Sequence, residues 1–226
     1  MYLNKSNKEL LDLLNQHVTL TFESQLKLKK ELQERNLTTN IETLNTTINK
    51  KIEEIKNLKH IKDLGFKIEE TSDTFKVTRT LKAIIIDIIA ILLGVLFVAL
   101  GIYGVLLLFS TFSNDNSDFS ISQLIKGLTM SGLGLIGIKF LSAIKRLFDY
   151  IGFELSNSNN KITLIKRNDL KLELINESPY SLNLSEEGDK LVLKLEDIDT
   201  ISGISKNITQ KMTLQVLLEK LQNFSN

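Results

Sequence analysis

Two apolar stretches interrupt this 226-residue chain, and the charges inside them are the first candidates for chemistry: Asp87 in one, Lys126 and Lys139 in the other. A charge held at mid-bilayer costs about 3 kcal/mol or more, so such residues pair or line a polar path. If the stretches are antiparallel helices, Asp87 and Lys139 sit at matched depth, and an intramembrane ion pair between them is expected. Two uses stay open for that pair. One is structural, with Lys139 reaching toward headgroups; the other is functional, a proton or ion relay or a polar site between protomers.

Other reactive constellations are absent from the sequence. His17 and His60 lie far apart with no carboxylate at metal-ligand spacing, and read as surface or packing histidines. The glycines of the second stretch lack the Gly-Lys-Ser/Thr ending of a phosphate loop. No histidine is placed to activate a Ser or Thr hydroxyl. With no cysteine, disulfides, thiol catalysis and cysteine-bound metals are excluded. The expectation is a non-enzymatic protein with no catalytic residue, no cofactor and no metal. The Asn-x-Ser/Thr sequons at Asn36, Asn45 and Asn207 follow from an Asn- and Thr-rich composition and fall on the side expected to be cytoplasmic.

Basic residues cluster beside the apolar stretches. Lys76, Arg79 and Lys82 precede the first, and Lys145 and Arg146 follow the second, forming a basic collar at one membrane face. The intervening linker offers Asp115 and Asp118 and no basic residue. The positive-inside rule then places both termini in the cytoplasm and the linker outside. Anionic lipid is a natural partner for the collar, at about 1 kcal/mol per residue near the surface. With 28 Lys and Arg against 27 Asp and Glu, the net charge is +1. That balance speaks against nucleic acid, whose binders carry a clustered basic excess.

These residues must be positioned by a chain with two solvents. Residues 83–109 contain one charge and exceed the roughly 20 apolar residues needed to cross the hydrocarbon. Residues 123–147 form a second, glycine-rich span, and 110–122 an external loop. Small residues suit close helix contact: Ala90, Gly94 and Gly101 share a face with Asp87, while Gly127, Ser131, Gly134 and Gly137 smooth the second span. The first twenty residues include Glu9, Asp12, Asn15 and Gln16, so no signal peptide is expected there.

Residues 1–63 read as a cytoplasmic helical region. Ser6 with Glu9 forms a capping box, Thr21 caps a second helix ending near Asn36, and Thr39 with Glu42 opens a third. The third carries Ile41, Leu44, Ile48, Ile52, Ile55 and Leu58 on one stripe, for packing within the protein in preference to a homotypic coiled coil, and stops at Gly65. From there the period changes to two. Residues 64–82 form a β-hairpin turning at Thr71-Ser72-Asp73. Residues 148–226 form a β-rich region of five strands, beginning near Asp149 and ending at Leu195, followed by a helix with Met212, Val216, Leu217 and Leu221.

Two strands, an inserted pair of spans, five strands and a closing helix resemble a pleckstrin-homology-like (PH-like) barrel split by a transmembrane hairpin, as several bacterial and plastid membrane proteins have. The resemblance covers residues 65–223 and implies antiparallel halves that pair across the insertion. A second resemblance is local. Glu9-Leu10-Leu11, then Gln25, Leu28 and Glu31-Leu32-Gln33-Glu34-Arg35-Asn36-Leu37, is similar to the opening of uncharacterised two-span membrane proteins of Bacteroidetes-type bacteria. It implies a bacterial inner membrane and brings no activity.

The sequence therefore leads to an α+β membrane protein anchored by a two-helix hairpin. Its expected work is interaction or scaffolding with a protein partner the sequence does not name. The alternative is an oligomeric transport or channel component using Asp87 and Lys139, and a homo-oligomer stays open in either case.

Overall fold

The structure, a computed structural model, describes residues 2–37, 41–113, 120–168 and 171–224, with the side chains of 168 and 171–173 left aside. Thr39, Asp115, Asp118, Asp169 and Leu170 lie outside the described residues. The chain divides into two compact units. One combines residues 1–77, 155–163 and 176–226; the other combines 78–154 and 164–175.

In the first unit, three helices open the chain: α1 (Asn7–Asn15), α2 (Phe22–Glu34) and α3 (Glu42–Lys56). The Ser6 hydroxyl accepts from the Glu9 N–H and the Glu9 carboxylate accepts from the Ser6 N–H, so the expected capping box closes. The Thr21 hydroxyl accepts from the Ser24 N–H at the start of α2. Helix α3 stops at Lys56, short of the expected Gly65. Leu58 takes a left-handed conformation (φ 53°), a 3-10 turn follows over Lys59–Leu64, and Gly65 (φ 86°) turns the chain into β1.

Strands β1 (Phe66–Glu70) and β2 (Thr74–Arg79) follow, joined at Thr71, whose N–H donates to the Thr74 carbonyl. After the apolar helices come β3 (Glu154–Ser158), β4 (Lys161–Asn168), β5 (Lys171–Glu177), β6 (Leu182–Glu187), β7 (Lys190–Leu195) and β8 (Ile198–Ile204). Two antiparallel sheets result, ordered β1-β2-β3-β4-β5 and β6-β7-β8, and neither is closed. Neighbouring β2 and β3 are the two ends of the inserted hairpin, so the halves of the β-region pair as expected.

Two expectations about this region need correction. The first strand after the hairpin starts at Glu154, because helix persists to Tyr150. Among the described residues six strands follow the hairpin where five were expected; β8 is the addition. Its inward positions include Thr200 and Gly203, which break the apolar alternation. Thr200 Oγ1 donates to the Leu193 carbonyl (2.6 Å), and Gly203 lies beneath Gln210 and Leu214, where a Cβ would meet Gln210 Oε1 at 3.1 Å.

Helix α7 (Ile208–Asn223) joins the pieces of this unit. Leu214, Leu217 and Leu221 are fully buried, while Ile208, Met212 and Val216 pack on the core made by Leu10, Leu14, Leu28, Leu32, Leu44, Ile48 and Ile55. The first and last segments of the chain thus share one core, and the α3 stripe is spent inside the protein. Burying one such leucine contributes about 1.5–3 kcal/mol. Arg35 fastens the N-terminal segment, donating to the carbonyls of Lys5 (2.7 Å) and Leu3 (2.9 Å) while paired with Glu31.

The second unit contains α4 (Leu81–Ser113), α5 (Ile121–Leu141) and α6 (Ala143–Tyr150). Helix α4, of 33 residues, and the run Ile121–Tyr150 are long and apolar enough to cross a membrane. Both are longer than the expected spans 83–109 and 123–147. Their apolar side chains are largely exposed, among them Ile85, Ile89, Leu92, Val95, Leu128 and Leu135.

Candidate functional site

Glycines set how α4 and α5 meet. A Cβ at Gly101 would collide with the Gly134 Cα, one at Gly137 would stand 2.7 Å from Val98 N, and one at Gly104 would stand 2.6 Å from Ser131 N. Backbone lies against backbone along this seam. Gly94 and Gly101 on α4, and Gly127 and Gly134 on α5, each recur at the seven-residue spacing that keeps a left-handed seam in register. Of the expected packing residues, Gly94, Gly101, Gly127, Ser131, Gly134 and Gly137 are at the contact, Ala90 is half-buried, and Gly104 is an addition.

That register decides the partner of Asp87. Gly94 faces Leu141 and Gly101 faces Gly134, so the antiparallel run carries Asp87 to the level of α6. There Arg146 Nε donates to Asp87 Oδ1 at 2.6 Å. Arg79, the last residue of β2, donates from an Nη to Asp87 Oδ2 at 2.9 Å. The carboxylate is 2% exposed and Arg79 8%, while Arg146 is 51% exposed. The Arg79 guanidinium also lies over the Tyr150 ring, 4.9 Å from its centre, and Tyr150 packs edge-on against Phe153.

The expected Asp87–Lys139 pair is therefore corrected: one arginine occupies each carboxylate oxygen, and Lys139 is exposed. Its neighbour Gly137 packs against Gly94 to Val98, about two helical turns deeper than Asp87. Contact between small residues, and not distance from the ends of the apolar stretches, sets the register of the two helices.

The basic collar divides in consequence. Arg79 and Arg146 are committed to Asp87, Lys82 and Lys145 are exposed, and Lys76, in the first unit, is half-buried. Chemically this is an electrostatic latch between the two ends of a helical hairpin. Each oxygen of its carboxylate accepts from an arginine.

The histidines have structural partners. His17 is buried, with Nδ1 at 2.8 Å from the Leu14 carbonyl and Nε2 at 3.1 Å from Thr47 Oγ1. His60 stands between Asp63 (2.9 Å), three residues on in the same 3-10 turn, and Glu54 (3.5 Å), which lies before the left-handed bend at Leu58. Among the described residues no three His, Asp or Glu side chains converge as a metal site. No protein-family model, curated protein or solved structure matches the chain.

Proposed function

We propose that the chain is a two-pass membrane protein in which α4 and α5–α6 anchor a cytoplasmic interaction or scaffold unit. One observation carries this reading: two helices long enough to span a bilayer leave their apolar side chains exposed, while the first unit buries its own in a closed core. Exposed apolar surface on this scale is stable in lipid and a liability in water. The distribution of Lys76, Arg79, Lys82, Lys145 and Arg146 favours cytoplasmic termini, and the lysines among them favour anionic lipid at the surface. A PH-like relationship is favoured by the succession of two sheets and a closing helix, and rests on that analogy.

The scaffold reading is preferred to a conduit because Asp87 is engaged on both oxygens by arginines and so has no vacant side for a relay. A bacterial inner membrane belongs to the same proposal. Single cysteines at Ser117 and Ser205, probed with an impermeant maleimide on intact cells, test the topology. Labelling at 117 alone fits; labelling at 205 alone overturns it.

A further inference from the structure

Lys139 is a charge of the apolar helices that neither the Asp87 latch nor a helix end accommodates. It lies on the outward face of α5, and among the described residues its ammonium has no ion-pair or hydrogen-bond partner. Opposite it across the seam is the stretch Gly94 to Val98, close to the middle of the 33-residue α4. The other exposed lysine of α5 is placed differently. Lys126 is beside Gly127, which packs on Leu108 near the far end of α4, and side chains on a helix lean toward its N-terminus, here the near membrane surface. Lys126 therefore reaches headgroups. The same lean carries Lys139 away from its nearer surface, where Lys145 lies about 9 Å along the axis, and into the hydrocarbon.

A lysine so placed requires an anionic or polar neighbour. Among the described residues, a second copy of this hairpin offers no carboxylate inside the apolar helices but Asp87, and Arg79 and Arg146 enclose that one. One helical heptad before Lys139, on the same face, is Gly132, and nothing comes within 4 Å of where its Cβ would be. A second backbone has room to approach there. Resting on the membrane reading above, we infer that the Gly132–Lys139 face of α5 docks a transmembrane helix of a different protein that carries an aspartate or glutamate at mid-bilayer. Lys139 supplies the charge match and Gly132 the close approach.

The test uses the full chain, labelled with a donor fluorophore and reconstituted in phosphatidylcholine/phosphatidylglycerol vesicles with acceptor-labelled model helices. The helices are poly-leucine spans with one central Glu, one central Gln or no polar residue. Energy transfer to the Glu helix should exceed that to the all-Leu helix at least tenfold in apparent affinity. Lys139→Met should abolish the excess, Lys139→Arg should retain it, and Lys126→Met should leave it intact. Equal transfer to Glu and all-Leu helices overturns the inference, as does transfer between copies of the chain that Lys139→Met abolishes. Pelleting of the same variants in alkaline carbonate reads the anchor separately, so loss of insertion is distinguished from loss of docking.

Discussion

Arg146 Nε and Asp87 Oδ1, fifty-nine positions apart in the chain, meet at 2.6 Å and join the exit of the helical hairpin to its entrance. Arg79 takes the other oxygen from the strand before the hairpin. A single carboxylate thus ties β2, α4 and α6 together.

Breaking that tie from its buried side should cost most. Asp87→Ala leaves the buried Arg79 guanidinium without its carboxylate and should destabilise the hairpin by about 3–5 kcal/mol. Arg146→Gln removes a half-exposed partner and should cost about 1 kcal/mol or less. Unfolding in mixed detergent micelles, followed by circular dichroism, measures both; equal losses would deny the asymmetry.

Backbone contact along the hairpin makes its glycines intolerant of growth. Gly101→Val should force α4 and α5 apart and cost about 1–3 kcal/mol, read as reduced crosslinking between cysteines placed on the two helices. Gly132→Ala, in open space, should leave that crosslinking unchanged.

The N-terminal helices and α7 should lose protection together. Leu217→Ala removes a fully buried side chain and should cost about 2–5 kcal/mol. Hydrogen exchange should quicken in α3 as well as α7, because Val216 and Met212 pack on the core that holds Leu44 and Ile48. Acceleration confined to α7 would mean that the segments do not share a core.

Acid should loosen α1 through Glu9. The Ser6 N–H, then the Ser6 hydroxyl and Lys5, hold its carboxyl below the ordinary value of 4.5. A carboxyl depressed in the folded state contributes stability above its unfolded pKa and loses it as pH falls through the folded value. Amide exchange at the α1 N-terminus should therefore rise below about pH 4.5, after correction for intrinsic rates, and Ser6→Ala should flatten the response.

Much of this architecture could be read from residue patterns. The Ser6–Glu9 capping box, the change of period at Gly65 and the two apolar runs each report local physics, and an element formed at each, although α3 ended early at Lys56 and both apolar helices ran past the expected bounds. The Asp87 partner was missed because Arg79 and Arg146 were counted as orienting charges, although a lone carboxylate near the start of an apolar run invites flanking arginines. Gly94, Gly101, Gly127 and Gly134 held the register that would have found it. Strand β8 escaped because Thr200 and Gly203 face inward, their fit depending on Leu193 and α7. The shared core of first and last helices depends on contacts between distant segments, which periodicity within one segment does not encode.

The central claim is that lipid surrounds α4 and α5–α6. Extraction of membranes from expressing cells with alkaline carbonate tests it most directly. The intact chain should stay in the pellet and enter solution only with detergent. Recovery of the chain in the carbonate supernatant, monodisperse without detergent, would contradict it.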